Sequence, residues 1–453
     1  MTVRKRLFGT NGIRGIPNED LTTEFCSSIG KAIGTSLSGS TIAVGRDTRI
    51  SGDSILSSVV GGITSTGKSV IDLGVLPTPA LQYYCKKHGI YGVMITASHN
   101  PPQFNGIKCI DSDGTELSRE DEERIENIFY DRDFKTVAWY AFGRVIPYIS
   151  AIRDYIEGII SLIDAEKIRS AGFRVAFDAG NGASYSSTPL LLESLGCSIT
   201  ALNCNPDGRF TSRPSEPTER NLSQLKTLVK AGGFDIGIAH DGDADRVVFF
   251  TEEGEFIDGD ISLSLLVDSI VKSGDVVVTP ISSSDTISRV CEKKGAKLIR
   301  TRVGAPIVSR EMISRRARIG GEENGGIIFS DHQYCRDGAM AAALFLNLMA
   351  KTGKRPSELI SSLDAYHLHR ITVQLAGKWE DVESRFQEEV SGMDIDRTDG
   401  FKIFLNDGWV LVRPSGTEPI VRIYGHSKKA SRAREIAEKF RDIIDRLQNH
   451  NAR

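Results

Sequence analysis

One stretch stands out for the chemistry it could support: residues 96–102, with the sequence TASHNPP. The apolar run before it, residues 91–96, predicts a buried strand. Proline fixes its own φ and biases the preceding residue toward an extended conformation, so we expect the Ser98 hydroxyl on a rigid turn. Open α/β sheets place their chemistry at the carboxyl ends of strands. Taken alone, the pair Ser98-His99 is more often an ordinary polar turn.

A second candidate is the acidic loop DGDADR that begins at Asp241. Its three carboxylates at alternate positions, Asp241, Asp243 and Asp245, can converge on one hard cation such as Mg²⁺. An EF-hand calcium loop is the rival, but Arg246 stands where that loop needs glycine, and a predicted strand at 247–250 follows instead of a helix. A solvated acidic turn is disfavoured because three aspartates between apolar strands repel one another unless a cation neutralises them.

Two later loops carry groups that suit a phosphorylated sugar. Residues 321–326, GEENGG, offer carboxylates and an amide to sugar hydroxyls, although a tight turn is the plain alternative. Residues 413–419, RPSGTEP, lie between two predicted strands and combine a guanidinium, two hydroxyls and an open glycine amide. That combination favours an anion, most simply phosphate. Arg422 follows on the next predicted strand.

Three further arginines lie in short polar stretches near the amino terminus. Arg14 belongs to the glycine-rich loop at residues 8–15, and Arg46 and Arg49 belong to the stretch GRDTR at residues 45–49. Each of these side chains is compatible with ordinary surface charge.

The sequence GITSTGKS at residues 62–69 matches the P-loop pattern. A P-loop needs a strand before it and a helix after it, so that the helix amino terminus meets the phosphates. Here the predicted order is reversed, with a helix at 53–66 and a strand at 69–73. We therefore expect no nucleotide site at this position.

The elements that position these loops follow from length and pattern. At 453 residues the chain exceeds a single core. Alternating helix and strand patterns predict three doubly wound, mixed α/β domains, at residues 1–148, 149–256 and 257–365, the second opening with a helix at 150–162. The pattern changes at residues 366–453, which predict a smaller α+β domain with antiparallel strands.

Composition excludes several classes of protein. There are 56 basic and 59 acidic residues with no basic stripe, so nucleic acid is not an expected partner. No apolar run reaches transmembrane length and the start lacks an apolar signal region, so we expect a cytoplasmic protein with no membrane partner. The seven cysteines are scattered without a CxxC pair, which indicates neither a disulfide framework nor a zinc site.

Together the four loops resemble the signature loops of the α-D-phosphohexomutase superfamily, which includes phosphoglucomutases, phosphomannomutases and phosphoglucosamine mutases. There is one loop per predicted domain, in family order, and the resemblance implies four domains around a central active-site cleft. Many bacterial members end the sugar loop in Ser-Gly-His. Here Asn324 replaces that serine and Gly326 replaces that histidine, which looks like the archaeal phosphoglucosamine/phosphomannomutase type. His332 is a candidate replacement for the missing histidine.

The resemblance implies an intramolecular phosphotransferase that interconverts hexose 1-phosphate and hexose 6-phosphate. Ser98 would be the modified residue, a phosphoserine that exchanges its phosphoryl group with the sugar through a hexose 1,6-bisphosphate. Its oxygen would complete an Mg²⁺ site with the three aspartates. Lys108 and His99 are alternative acceptors of the hydroxyl proton, and Arg14 and Arg246 would supply positive charge.

The resemblance also implies the residues that hold the substrate. Glu322 and Asn324 would bind sugar hydroxyls. The phosphate that does not react would be held by the carboxyl-terminal loop and strand, through Arg413, Ser415, Gly416, Thr417 and Arg422. The sequence leaves the sugar open among glucosamine, mannose and glucose, and the assembly open between monomer and homodimer.

Two other functions remain open at this stage. A metal-dependent sugar phosphatase would use water in place of the sugar hydroxyl, but hydrolysis has no need of a second phosphate loop. A non-catalytic sugar-phosphate sensor would not need Ser98, Lys108 and the three aspartates together.

Overall fold

The structure is a computed structural model of the chain and describes residues 6–9, 11–415 and 419–449. The described residues form two compact units. The first unit comprises Met1–Ser262 and Asn324–Leu359, and the second comprises Leu263–Glu323 and Ile360–Arg453. The predicted sugar loop is therefore divided, with Glu322 in the second unit and Asn324 in the first.

The first unit opens with a mixed sheet whose order is β1-β5-β4-β2-β3-β6. Strand β2 is parallel to β3 and β4, whereas β5 is antiparallel to β4, and β1 is antiparallel to β5. Because β2 and β4 are parallel neighbours, the loops that follow them meet at one edge of the sheet. The elements are β1 (Ile13–Gly15), α1 (Thr23–Ser36), β2 (Thr41–Arg46), α2 (Gly52–Thr64), β3 (Ser69–Val75), α3 (Thr78–His88), β4 (Tyr91–Ile95), β5 (Asn105–Ile110), α4 (Arg119–Asp131) and β6 (Val145–Pro147).

A second sheet in the first unit has the order β11-β10-β9-β7-β8. Strands β8 and β9 are parallel to β7, and β10 turns back antiparallel to β9, so the loop between β9 and β10 is a tight reversal. The elements are α5 (Ala151–Ile160), α6 (Ala165–Ala171), β7 (Arg174–Asp178), α7 (Thr188–Ser194), β8 (Ser198–Leu202), α8 (Ser223–Gly232), β9 (Ile236–His240), β10 (Val247–Phe250), β11 (Phe256–Ile257) and α9 (Gly259–Ile270).

The chain then builds part of the second unit and returns to the first. In the second unit, β12 is parallel to both β13 and β14. The returning helix α12 is buried along most of its length and packs on α5, α6 and β10, with Phe345 stacked on Phe249 at 4.5 Å between ring centroids. The elements are β12 (Val276–Pro280), α10 (Asp285–Lys294), β13 (Lys297–Thr301), α11 (Ala305–Arg315), β14 (Ile319–Gly321), β15 (Ile327–Phe329), α12 (Gly338–Thr352) and α13 (Pro356–Ser361).

The carboxyl-terminal part of the second unit is an antiparallel sheet in the order β16-β20-β19-β18-β17. One face packs on the apolar side of α15 and on α14, around Phe386, Phe401 and Phe440. The elements are β16 (His367–Gln374), α14 (Trp379–Glu389), β17 (Ile395–Asp396), β18 (Phe401–Leu405), β19 (Gly408–Pro414), β20 (Ile420–Ser427) and α15 (Ala430–Asn449).

The predicted architecture of mixed α/β sheets followed by an antiparallel α+β domain is confirmed. The order of elements around residues 62–69 is also as predicted, since α2 precedes β3 and no helix opens on the glycines. The helix predicted at 150–162 is present as α5. Two elements were not predicted: strand β1 within the glycine-rich loop at residues 8–15, and the short helix α6. Within the described ranges, no helix combines the length and apolar character needed to cross a membrane.

Candidate active site

Ser98 lies just beyond β4 in a conformation that its residue type rarely adopts. Its φ is +49°, in the left-handed region, and its side chain is buried. The backbone N–H of Ser98 donates to Thr96 Oγ1 at 2.9 Å. The Ser98 hydroxyl donates to Asp241 Oδ2, also at 2.9 Å. The turn therefore aims this hydroxyl at the acidic loop.

The conformation of this turn is held by a buried arginine, Arg49, which is 1% exposed. Its Nη1 donates to the carbonyl oxygens of Pro101 and Phe104 at 2.7 and 2.8 Å. Its Nη2 donates to the carbonyl oxygens of Ser98 and Asn100 at 2.8 and 2.6 Å. One planar guanidinium thus fixes the backbone on both sides of the two prolines.

The charge of Arg49 is neutralised by Asp47, which is fully buried. The distance from Arg49 Nε to Asp47 Oδ2 is 3.1 Å, and Thr96 Oγ1 donates to the same oxygen at 2.7 Å. The interpretation of Arg49 as surface charge was therefore wrong. Arg46 forms a surface ion pair instead: its Nη2 lies 2.6 Å from a carboxylate oxygen of the exposed Asp53.

The acidic loop between β9 and β10 gathers its three carboxylates in one buried place. One oxygen from each of Asp241, Asp243 and Asp245 lies within 4.8 Å of the others, and all three side chains are buried. Ala244, between the last two, has a φ of +58°, a backbone conformation that an alanine adopts only at a cost. Strained backbone of this kind is concentrated at functional sites.

Two oxygens of this loop fit a cation. Asp243 Oδ1 and Asp245 Oδ1 are buried and form no hydrogen bond with any residue that the structure describes. The other oxygen of Asp243 accepts from Thr78 Oγ1 at 2.6 Å, which orients the carboxylate. A buried carboxylate oxygen without a partner is costly, and hard cations such as Mg²⁺ prefer oxygen ligands of this type.

Four cationic side chains surround the acidic loop, three of them at Asp245. Arg336 hydrogen-bonds Asp245 Oδ2 through Nη2. The Nζ of Lys108 lies 3.8 Å from the same oxygen and 3.7 Å from Glu116 Oε1, and Lys108 is buried. Arg246 Nε lies 3.8 Å from Asp245 Oδ1. Arg14, described below, is the fourth.

These charges separate the pKa values of the carboxyl groups. Burial, followed by the charges of Asp245 and Asp243, raises the pKa of Asp241 well above its ordinary value. Burial also acts to raise the pKa of Asp245, but the charges of Arg336 and Lys108 outweigh it, and the pKa lies below its ordinary value. Asp245 therefore stays ionised more readily than Asp241.

His99 lies beside the Ser98 hydroxyl, and Arg14 contacts the same turn through Asn100. His99 Nδ1 lies 3.4 Å from Ser98 Oγ. The charge of Arg246, together with burial, holds the pKa of His99 well below its ordinary value, so the imidazole is neutral near pH 7 and can accept a proton. Arg14, on β1, donates to Asn100 Oδ1; burial lowers its pKa to about 10, which leaves it charged at neutral pH.

His332 is held in a buried cluster of the first unit. Its ring stacks on Tyr83 with 4.9 Å between centroids, and its Nε2 lies 3.4 Å from Asp337 Oδ2. Asp337 accepts from the Tyr155 hydroxyl and caps α12 by accepting from the Met340 N–H at 2.9 Å. These contacts give His332 a packing role and do not support it as a replacement for the histidine absent at Gly326.

The predicted sugar loop at residues 321–326 contributes polar groups to both units. In the second unit Glu322 and Glu323 are buried, and burial raises the pKa of Glu323 although the charge of Arg370 opposes the shift. In the first unit Asn324 Oδ1 accepts from the Gly326 N–H at 3.0 Å.

Two arginines lie on neighbouring strands beside the loop after β19. Arg413 and Arg422 are directly opposite on β19 and β20, so their side chains share one face of the sheet. Arg413 Nε donates to Asp399 Oδ2 at 2.7 Å, and the Ser415 N–H closes the loop onto the Ile420 carbonyl oxygen at 2.9 Å. The Asp399 carboxylate is the anion that balances Arg413 in this structure. Gly416 and Thr417, predicted phosphate ligands, lie outside the described residues.

Comparisons with known proteins match this chain from near its start to near its end. Four family models cover it in succession: phosphoglucomutase/phosphomannomutase alpha/beta/alpha domain I at residues 5–136, domain II at 153–254, domain III at 258–366 and the C-terminal domain at 368–443.

Individual proteins match over nearly the same span. A phosphoglucomutase/phosphomannomutase of Thermococcus kodakarensis is 43% identical, over 96% of this chain and 97% of its own. A phosphoglucosamine/phosphogalactosamine mutase of Sulfurisphaera tokodaii is 40% identical, over 97% and 99%. The crystal structure of a phosphoglucomutase/phosphomannomutase family protein from Burkholderia thailandensis, 25% identical, superposes with a TM-score of 0.85 over 98% of both chains. The chain therefore belongs to the phosphoglucomutase/phosphomannomutase family.

Proposed function

We propose that this chain is a phosphohexose mutase that interconverts a hexose 1-phosphate and a hexose 6-phosphate, the hexose being glucosamine, mannose or glucose. The observation that carries the proposal is the Ser98 hydroxyl, set on a left-handed turn and hydrogen-bonded to Asp241 at 2.9 Å. This nucleophilic oxygen lies beside a buried carboxylate cluster that cationic side chains surround. Such a site is suited to phosphoryl transfer, which depends on positioning and charge stabilisation.

The proposed step is an exchange at phosphorus. Ser98 Oγ carries a phosphoryl group in the resting enzyme. The bond from phosphorus to Oγ breaks as a sugar hydroxyl oxygen bonds to phosphorus, and the hydroxyl proton passes to Lys108 or His99. The resulting hexose 1,6-bisphosphate turns end for end, and the reverse step returns the other phosphoryl group to Oγ. Arg14 and Arg246 supply positive charge to the transferring group.

Mg²⁺ is the proposed metal. Asp241, Asp243 and Asp245 would hold it together with the oxygen of Ser98. The buried oxygens of Asp243 and Asp245 that accept no hydrogen bond from a described residue support this assignment. When bound, the ion neutralises negative charge that develops on the phosphoryl oxygens. The protein residues orient the hydroxyl and keep the carboxylates apart from water.

Other residues of the chain would hold the rest of the substrate. We assign the sugar hydroxyls to Glu322 and Asn324. Arg413 and Arg422, which pair across β19 and β20, support a phosphate site at the loop after β19, to which Ser415, Gly416 and Thr417 would contribute. The hydrogen bond to Asp399 would hold the Arg413 side chain in its orientation before the phosphate binds.

We retain the predicted domains at residues 1–148, 149–256, 257–365 and 366–453, each contributing one of the four loops. We also propose a cytoplasmic location, which the free thiol state of all seven cysteines suits.

A panel of hexose 1-phosphates tests the function. Glucosamine, mannose and glucose 1-phosphates are incubated with the protein and Mg²⁺, and both hexose 6-phosphate and inorganic phosphate are measured. We expect the 6-phosphate of at least one hexose and no stoichiometric release of inorganic phosphate. Release of phosphate alone would identify a phosphatase, and no turnover of any member would contradict the proposal.

Replacing Asp243 with asparagine tests the metal assignment. We expect Asp243→Asn to weaken Mg²⁺ binding by at least about tenfold, because an amide keeps the shape but gives up the charge that a hard cation prefers. Activity should fall in parallel and recover in part at high Mg²⁺. The metal-free variant should unfold at a higher temperature than the metal-free wild type, since one buried repulsion is removed. Calorimetric titration and thermal unfolding measure the two effects.

Asp53→Asn, on the exposed face of α2, is the matched control and should change neither quantity. An Asp243→Asn variant with wild-type Mg²⁺ affinity would show that the acidic loop does not hold the ion.

A further inference from the structure

Gly326 lies under the side chain of Arg336. A Cβ built at Gly326 would lie 2.2 Å from Cδ and 3.0 Å from Cγ of Arg336, and 3.2 Å from Asn324 Oδ1. Gly326 is not among the glycines with left-handed φ, so its backbone conformation alone does not require glycine. The position requires glycine because the stem of Arg336 occupies the space that a side chain would fill.

From that position Arg336 reaches the acidic loop. It lies one residue before Asp337, the N-cap of α12, and its backbone forms a bridge to Ile328 in the middle of β15. The side chain is 5% exposed. Its Nη2 hydrogen-bonds Oδ2 of Asp245, which leaves Oδ1 of the same carboxylate buried and without a hydrogen bond to any described residue.

Arg336 differs from the other cations near this carboxylate. Lys108 and Arg246 each lie 3.8 Å from an oxygen of Asp245, which is beyond hydrogen-bond distance. Within the described part of the chain, the hydrogen bond that fixes the rotation of the Asp245 carboxylate comes from Arg336. A residue that orients a metal ligand in this way typically contributes ten- to a hundredfold to metal affinity.

We propose that Arg336 is a positioning residue for the acidic loop at residues 241–246. The absence of a side chain at Gly326 leaves the space that the Arg336 side chain needs to reach Asp245. The guanidinium of Arg336 donates a hydrogen bond to Oδ2 of Asp245, which leaves Oδ1 of that carboxylate directed toward the cation. This proposal rests on the proposed function of the acidic loop as an Mg²⁺ site. It explains in physical terms why the sugar loop of this chain ends in glycine: a larger residue at position 326 and Arg336 cannot both occupy the space over the loop.

The test is a double-mutant cycle on Mg²⁺ affinity. Gly326→Ala, Arg336→Ala and the double variant are titrated with Mg²⁺ by calorimetry, and mutase turnover is measured in parallel. We expect each single variant to bind Mg²⁺ about tenfold or more weakly. The double variant should bind no more weakly than the weaker single variant, because both changes break the same contact and are therefore not additive. Saturating Mg²⁺ should restore part of the turnover.

A further variant and two controls sharpen the result. Arg336→Met keeps most of the stem over Gly326 and removes the guanidinium, so it should fold if Arg336→Ala does not, and it should show the same loss of Mg²⁺ affinity. Gly61→Ala on the exposed side of α2, where a Cβ meets no atom within 4 Å, and Arg124→Ala on α4 should leave the affinity unchanged.

The outcomes separate this inference from the proposed function. If wild-type protein binds Mg²⁺ and turns over hexose phosphate while Arg336→Met keeps its full Mg²⁺ affinity, the positioning role is wrong and the proposed function stands. Additive losses in the double variant, or tighter binding in either single variant, also overturn the positioning role. If the wild type neither binds Mg²⁺ nor turns over substrate, the proposed function fails and this inference fails with it.

Discussion

Replacing Ser98 with alanine is expected to lower mutase turnover by at least about four orders of magnitude, equivalent to about 5.4 kcal/mol of barrier, while the fold persists. Only the hydroxyl oxygen can carry the transferred phosphoryl group. The left-handed φ of +49° costs alanine about as much as it costs serine, so the turn should survive the change. Turnover, circular dichroism and intact mass are measured together, and the phosphoryl adduct should be absent from the variant.

Ser57→Ala, which removes a hydroxyl from an exposed position of α2, is the control and should behave as wild type. An alanine variant at position 98 that retained turnover within about tenfold of wild type, about 1.4 kcal/mol of barrier, would mean that the group is transferred through another atom.

The second large effect is expected at Arg49, which does not act on the substrate at all. Arg49→Lys keeps the positive charge beside Asp47 but loses the planar guanidinium that bonds four carbonyl oxygens of the turn carrying Ser98. The Phe104 N–H also reaches the Pro101 oxygen, and the Ser215 hydroxyl can donate to either the Ser98 or the Asn100 oxygen but not to both. The Phe104 oxygen and one of those two would therefore lose their donor, at about 1–2 kcal/mol each. We therefore expect the free energy of unfolding to fall by about 2–4 kcal/mol. Displacement of Ser98 should lower kcat by about a hundredfold.

Denaturant unfolding and steady-state kinetics test this prediction. Arg46→Lys is a closely matched control, because Arg46 lies three residues earlier and its carboxylate partner, Asp53, is exposed. Similar small effects of the two substitutions would show that the turn holds its shape without Arg49. A large loss of kcat with unchanged stability would place Arg49 in contact with substrate instead.

Local periodicity predicted the main elements of the fold. Most strands are apolar runs and most helices are periodic apolar patterns, and glycine or proline often marks their ends. Strand β1 was not predicted because it has only three residues, the last of which is Gly15, and because Gly12 precedes it. It is defined by pairing with β5, about ninety residues away, where Arg14 lies opposite Gly106. Short strands held by distant partners leave little trace in their own sequence.

In the candidate site, too, residues set by local sequence were predicted, and residues set by distant contacts were not. Ser98 and the three aspartates were predictable because each motif contains its own chemistry within a few residues. Arg49 and Arg336 were not, because each is defined by an acceptor far along the chain. Arg49 did carry one usable signal: it follows β2, which lies beside β4 and runs parallel to it, so its loop had to meet the loop that carries Ser98. Arg336 belongs to no motif.

The turn that carries Ser98 is held in place by contacts with residues more than one hundred positions later in the chain, which are synthesised after it. The Ser98 carbonyl oxygen lies against Gly242, where a Cβ would approach it to 2.6 Å, and it accepts from Ser215 Oγ at 3.4 Å. The Arg49 guanidinium rests on the ring of Phe210, 4.9 Å from its centroid. A nascent chain that ends before residue 242 therefore has its first sheet but not the finished turn. We expect the serine to become competent for phosphorylation only after the second sheet has folded, so that maturation of the enzyme follows the order of its synthesis.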